Sequence, residues 1–373
     1  MKKLLSLPFI IIFMIASVFP TIAIASDTDP DSELELQQAI SLALKNSTSL
    51  KLYDEKIVIA ERNYNKALSD SKNAVGKNWE SSEERIALKK TEILVPLQKL
   101  NELDELKWQK QNEERNIKLN VMTKFFRLQQ KENQIELQKK NIEQAISELE
   151  MQKVKVKNGL AAESTLLSME ISVDNAQTAL SKLENERSAM IMELNAMIGY
   201  ELDKNTQISK QEIPFEVFEI DDISELIMEN CSNGYSIRQL ETKRMLTEKE
   251  RDIYRNYSFN VRPDEIDDLE VTLHKLEYDI RDAKISMERS IRVDYNNILN
   301  LLDTVRINKL SYEKAVMQKE ISDKRFTLGM INKIDMDKVS LACDQALMTY
   351  NNSLIDYYLA VESFNFHYMA NDR

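Results

Sequence analysis

The sequence predicts an all-α protein built of two tandem repeats of long antiparallel coiled-coil helices, on three observations. Only five glycines occur in 373 residues, where average usage of about 7% would place roughly five times as many. All five (Gly76, Gly159, Gly199, Gly234 and Gly329) fall where a helical pattern stops or breaks. Glycine weakens helix interiors and is favoured just past helix ends. The second observation is a duplication: Val156-Lys157-Asn158-Gly159-Leu160 returns 170 positions later as Phe326-Thr327-Leu328-Gly329-Met330. The third is a seven-residue stripe of Val121, Leu128, Ile135, Ile142, Leu149 and Val156. Adding 170 gives Ile291, Ile298, Val305, Tyr312, Lys319 and Phe326, five of which are apolar or aromatic. A strict heptad underwinds the helix and predicts a left-handed coiled coil.

Residues 1–25 read as a signal peptide. Lys2 and Lys3 precede an apolar run, and Ala23-Ile24-Ala25 forms a small-residue cleavage site before Ser26. An uncleaved anchor is the alternative, but Pro8 and Pro20 interrupt the run. The first repeat, 26–199, then holds a helix from about Leu34 to Asp70 and a polar, loop-like stretch over 71–82. A very long helix follows from Ser82 to Lys157, with Pro96 kinking or delaying its start, and then a helix from Ser164 to Ile198. Residues 200–221, with Pro214, Phe215, Val217 and Phe218, lack a helical period and read as an extended linker. The second repeat, 222–373, follows the same plan. Its helices run from about Ile223 to Tyr254 with a break at Asn233-Gly234, from Asp264 to Thr327, and from Asp335 to Tyr368.

Length carries a further implication. At ~1.5 Å per residue the long helices span roughly 110 and 95 Å, and the shorter ones roughly 50–55 Å. Two short helices laid end to end match one long helix. Each repeat is then one rod beside a stacked pair, and a symmetric oligomer supplies partners for the remaining apolar faces.

Composition excludes several classes. The formal charge is −12, and removal of Lys2 and Lys3 makes it −14 (−12 − 2), which argues against nucleic acid or an anionic membrane surface as partner. Lys, Glu and Asp are interspersed as on solvated helix faces. Cys231 and Cys343 read as buried free thiols, with pairing as the alternative, and His274 and His367 lie in helices without clustered ligands. No phosphate-cradling glycine loop, metal spacing or nucleophile elbow occurs, so the sequence predicts no enzyme, cofactor or metal. Met122, Phe125, Phe126, Tyr295, Tyr357 and Tyr358 recur at helical spacings and read as packing between helices.

Three local signatures resemble the TolC family of outer-membrane efflux ducts. Ala39-Ile40-Ser41-Leu42-Ala43-Leu44-Lys45-Asn46-Ser47-Thr48-Ser49-Leu50 resembles the family's opening helix, with its Asn-containing break. Leu194-Asn195-Ala196-Met197-Ile198-Gly199 resembles its L-N-x-x-x-G close of the first repeat, and Arg325-Phe326-Thr327-Leu328-Gly329 through Asp335-Met336 its R-F-x-x-G hairpin tip. The resemblance covers about residues 34–370. It implies a homotrimer forming a hollow, twelve-helix α-barrel, whose tips meet a periplasmic adaptor (a membrane fusion protein) coupled to an inner-membrane pump. The candidate docking turns are then Gly159, Leu160, Gly329, Met330, Ile331 and Asp335. Glu320 and Asp323 are candidate pore acids, although an ordinary solvated helix face suits them better.

The first tip departs from the pattern, with Lys155-Val156 for Arg-Phe and Thr165 for Asp335, although either Thr or Asp can cap the following helix. The larger departure is the membrane β-barrel. A spanning strand needs ~9–11 alternating residues. Residues 71–82 offer only Ala74, Val75 and Trp79, and the brief alternation of Tyr257, Phe259 and Val261 meets Pro263. The expectation is therefore a barrel-less TolC-like conduit for small molecules or proteins, exported to the cell envelope outside the cytoplasmic membrane. The alternatives are an exported coiled-coil scaffold without a channel and, more remotely, an adaptor-type protein, whose Gly-rich β domains are missing here.

Overall fold

The computed structural model describes residues 33–258 and 263–369. The expected signal peptide and the alternation at Phe259 and Val261 lie outside the described residues. The first half contains α1 (Leu36–Asn46), α2 (Thr48–Ala74), α3 (Ser82–Lys89), a π-helical turn (Lys90–Leu94), α4 (Val95–Lys157) and α5 (Ser164–Ile198). The second half contains α6 (Ile223–Asn233), α7 (Tyr235–Tyr257), α8 (Pro263–Thr327), α9 (Lys333–Phe364) and a closing π-helical turn (Asn365–Met369).

Most heptad positions are buried, whereas Ile142, Val156 and Tyr312 are half-buried and Phe326 is exposed. Val121, Leu128 and Ile291 are fully buried, and Ile298, Val305, Ile135 and Leu149 nearly so. Each such side chain contributes about 1.5–3 kcal/mol relative to exposure. Two cores result. One gathers α1, the middle of α4, the end of α5 and part of α9 around Phe125, Leu194 and Ile198. The other joins α6, α8 and α9 around Ile298, Tyr357 and Phe364. Phe125, Phe126 and Tyr357 are core residues, as their spacing predicts.

The columns lie side by side. Antiparallel to α4 run α2, through Asp54–Lys110 at 2.7 Å, and α5, through Glu186–Lys131 at 2.8 Å. On the other flank of α4 lies α9, also antiparallel, through Lys140–Asp344 at 2.8 Å and Arg127–Asp356 at 2.6 Å. α7 continues that column and packs on α8, which also packs on α9. The order across the wall is α2 with α5, then α4, then α7 with α9, then α8.

Several boundaries correct the sequence reading. The single helix expected from Leu34 to Asp70 is two, broken at Ser47, and the second runs on to Ala74. Ser47 adopts φ −58°, ψ 119° and caps α2 by accepting the Leu50 N–H at 3.2 Å. Gly234, at φ −57°, ψ 133°, makes the matching break between α6 and α7. Each break residue still donates its N–H four residues back, Ser47 to Ala43 at 2.9 Å and Gly234 to Asn230 at 2.8 Å. The last helix begins at Lys333 rather than Asp335. Pro96 acts as its chemistry requires. In an α-helix the Glu92 carbonyl would accept from position 96, where proline has no N–H. The chain passes through the π turn just before this point, and Ser71 Oγ donates to the Glu92 carbonyl at 2.7 Å. Cys231 and Cys343 are both free thiols.

Candidate functional site

The two hairpin tips are built alike. Gly159 and Gly329 sit at φ +72° and +71°, the left-handed conformation that side chains resist. Around Gly159, its own N–H donates to Val156 O at 2.9 Å and the Leu160 N–H to Lys155 O at 2.8 Å. Around Gly329, the N–H donates to Phe326 O and the Met330 N–H to Arg325 O, both at 2.8 Å. This paired pattern is the Schellman close of a helix. It leaves Leu160, Leu328 and Met330 at 76%, 74% and 67% exposure, with Ile331 half-buried and Asp335 exposed.

The antiparallel run of α4 and α9 brings both tips to one end of the molecule. Gln144 Nε2 donates to Ile334 O at 3.4 Å, and Lys338 Nζ lies 3.1 Å from Glu148. The Gln144 amide donates to the Glu148 carboxylate, and with Lys338 it holds that carboxyl below its ordinary range. These bridging residues were not anticipated, since polar side chains on a helix face give no sequence signal of a partner almost 200 positions away. The expected capping is also corrected. Asn332, not Asp335, caps α9, accepting the Asp335 N–H at 2.9 Å. Glu163 occupies the cap of α5 without a side-chain bond, and Thr165 Oγ1 donates back to Ala162 O at 2.6 Å. Glu320 and Asp323 are exposed on α8, three residues apart and so on one side of it.

A belt crosses the middle of the bundle. Leu34 makes a parallel bridge to Ile208. The Gln129 side-chain amide imitates a strand, accepting the Gln211 N–H at 3.0 Å and donating to Gln211 O at 2.9 Å. Tyr357 OH accepts the Phe218 N–H at 2.7 Å and donates to Glu216 O at 3.0 Å. The L-N-x-x-x-G motif anchors this belt. Asn195, fully buried, donates to Lys204 O at 2.7 Å and accepts from Thr206 Oγ1 at 2.6 Å. Gly199, at φ +78°, lets the chain turn against Asn46, whose Nδ2 donates to Ile198 O at 2.5 Å.

Both edges of the wall expose apolar stripes. Val271, Tyr278, Ile285 and Val293 project from α8 in steps of seven or eight, and Ile307, Leu310, Met317 and Ile321 continue the line toward the tip. The opposite edge exposes Leu52 and Ile59 on α2, and Leu167 and Ile171 on α5. At the end far from the tips, a small core of Ile86, Leu94 and Ile253 is flanked by Arg85, 4.8 Å from the Trp79 ring centre and 5.2 Å from that of Tyr257. The connection between α2 and α3 is seven residues, 75–81, and that between α7 and α8 five, 258–262. Neither has room for two strands of ~9–11 residues. Among the described residues no helix is long and apolar enough to cross a membrane, and no group of three His, Cys, Asp or Glu side chains could hold a metal ion.

No protein-family description matches the sequence, and no curated protein does. Solved structures do match the backbone. The Campylobacter jejuni CmeC outer membrane channel is similar with TM-score 0.63 at 12% identity, over 94% of this chain and 92% of that one. The Vibrio cholerae outer membrane protein VceC matches with TM-score 0.64 at 10% identity, over 88% of this chain and 95% of that one. The channel protein CusC matches with TM-score 0.65 at 10% identity, over 92% and 94%. With its helical repeats, paired tips and belt, the chain has the TolC-like fold of these structures, as the sequence motifs implied.

Proposed function

We propose that the chain is the repeating subunit of a trimeric helical export duct in the cell envelope, carrying small molecules or proteins and performing no chemistry of its own. The pair of unpartnered edges carries this reading. One protomer is an open wall segment with an apolar stripe on α8 at one side and apolar residues of α2 and α5 at the other. Such edges are complementary head to tail, and a heterologous contact that closes makes a ring. Three protomers of four columns make twelve. Among the solved structures of the same fold, CmeC is described as an outer membrane channel, which supports the same role here.

In this reading residues 26–199 and 222–373 are the two repeats joined by the 200–221 belt, and export by the signal peptide places the ring outside the cytoplasmic membrane. Gly159, Leu160, Gly329, Met330, Ile331 and Asp335 form the end that docks a periplasmic-type adaptor and, through it, an inner-membrane pump. Glu320 and Asp323 ring the pore near that end. One observation favours a second reading, an envelope scaffold without a channel: the two connections at the far end are too short for barrel strands.

Deletion of the gene tests the choice. The duct reading expects lost drug tolerance or secretion, restored by the natural chain but not by Leu160→Glu/Met330→Glu, which alters exposed positions and leaves the fold intact. Unchanged tolerance and secretion after deletion would sink the duct and leave the scaffold.

A further inference from the structure

The seam between α4 and α7 holds an opening that the duct reading does not use. Trp108 of α4 and Tyr235 of α7 stack with ring centres 3.7 Å apart and planes 3° from parallel. On the two sides of this stack lie cavities of about 390 and 530 Å³. Both are within the size range of small-molecule sites. Trp108, Tyr235 and Arg238 line both cavities, so the stack and one guanidinium divide a continuous groove.

The geometry points to a binding site for a planar aromatic anion, such as an aromatic carboxylate, in this α4–α7 groove. Three features select that chemistry. Leu97, Leu100 and Met245 add apolar wall beside the aromatic pair. The charge in the groove differs from that of the chain. Among the lining residues Lys107, Arg115 and Arg238 stand against Asp104 and Glu229, so the groove lacks the excess of negative charge that the chain carries at −12. Lys107 is engaged by Glu61 at 3.3 Å, whereas Arg238 is exposed at the mouth of both cavities. Guanidinium groups bind carboxylates bidentately and stack on aromatic faces, so one Arg serves both parts of such a ligand.

The third feature is the start of α7, which lines the larger cavity. At the matching break in the first half, Ser47 caps α2 with its hydroxyl. At this one Gly234 has no side chain to offer; the Ile237 N–H donates to Gly234 O at 3.1 Å, and the amides of Tyr235 and Ser236 begin α7 without a side-chain cap. They add a favourable field for negative charge. The Tyr235 phenol, its pKa pushed up to about 12 by burial and then by the Glu105 carboxylate, stays a neutral donor at neutral pH.

This inference stands apart from the duct reading, since binding to one protomer requires neither a ring nor transport. The test is calorimetric titration of the purified protein with 2-naphthoate and with its neutral analogue 2-naphthalenemethanol. The protein has two tryptophans, so a Trp79→Phe variant leaves Trp108 as the sole reporter of the same titration by fluorescence. Saturable binding of naphthoate with a Trp108 response is expected, and both Arg238→Gln and the neutral analogue should weaken it by about tenfold or more, as loss of a charge-assisted hydrogen bond implies. Arg238 is exposed, so its replacement spares the fold, and an unchanged melting curve verifies this. Absence of saturable binding would overturn the site. Binding that ignores Arg238→Gln, or that favours the neutral analogue, would overturn the assignment equally.

Discussion

Gly199 offers a perturbation whose two contributions separate cleanly. Gly76, Gly159, Gly199 and Gly329 share nearly the same backbone, φ between +71° and +78°. An added Cβ meets nothing within 4 Å at Gly76, Gly159 or Gly329, but at Gly199 it would lie 2.5 Å from Asn46 Nδ2 and 2.7 Å from Asn46 Cγ. Alanine at Gly76 therefore costs only the left-handed backbone, about 1–2 kcal/mol. At Gly199 the same cost is joined by displacement of Asn46 from its bond to Ile198 O, a further ~1–1.5 kcal/mol. Gly199→Ala should thus destabilise by about 3 kcal/mol, roughly twice the effect of Gly76→Ala. The assay is urea unfolding followed by circular dichroism, with unchanged slopes confirming comparable transitions. A double-mutant cycle completes it: in an Asn46→Ala background most of the excess at Gly199 should vanish, since of the close atoms only the position-46 Cβ, 3.0 Å from the added one, remains. Equal costs at Gly76 and Gly199, or an excess undiminished by Asn46→Ala, would refute the close approach of the α5 terminus to the α1–α2 break.

Three further outcomes follow from the belt and the core. Asn195→Ala strands the Lys204 carbonyl and the Thr206 hydroxyl, and two unsatisfied groups at about 1–3 kcal/mol each predict a loss of roughly 3 kcal/mol in the same urea assay. Gln129→Ala removes both clamps on Gln211, so limited proteolysis should cut the 200–221 segment several-fold faster while circular dichroism stays unchanged. Glu362 is held above the ordinary carboxylate range by burial alone. A raised acid binds more protons folded than unfolded, so its contribution falls as pH rises from the unfolded value through the folded one. Glu362→Gln should therefore raise the melting temperature at neutral pH and leave it unchanged in acid; a melting temperature lowered at neutral pH would contradict the sign.

The elements most legible in the sequence were those fixed by local chemistry. Ser164 and Ile198 bound α5 as read, because Gly159 and Gly199 leave the helix no other stop. The 170-residue offset places Val121 with Ile291 and Leu128 with Ile298, and all four are buried. The break at Ser47 is invisible to helical periodicity, because its φ and ψ are open to any residue and neither glycine nor proline marks it; only the resemblance at Asn46 pointed to it. Gln129 and Gln130 are polar residues that are buried, since the belt and α9 pass over them, and nothing in their spacing reports this. The Trp108–Tyr235 groove joins side chains 127 positions apart on different columns, and no periodicity within either helix reports it. Lys319 breaks the heptad in the second hairpin and remains half-buried beside Cys343, whose thiol burial pushes up while the Lys319 charge pulls it down.

The most direct test of the ring is the native mass of the purified chain, residues 26–373, by light scattering with and without mild detergent. Three times the chain mass is predicted, falling to one when Ile307→Glu and Leu310→Glu place charges on the α8 stripe. A stable monomer or dimer of the natural sequence could not close a twelve-column wall and would contradict the duct.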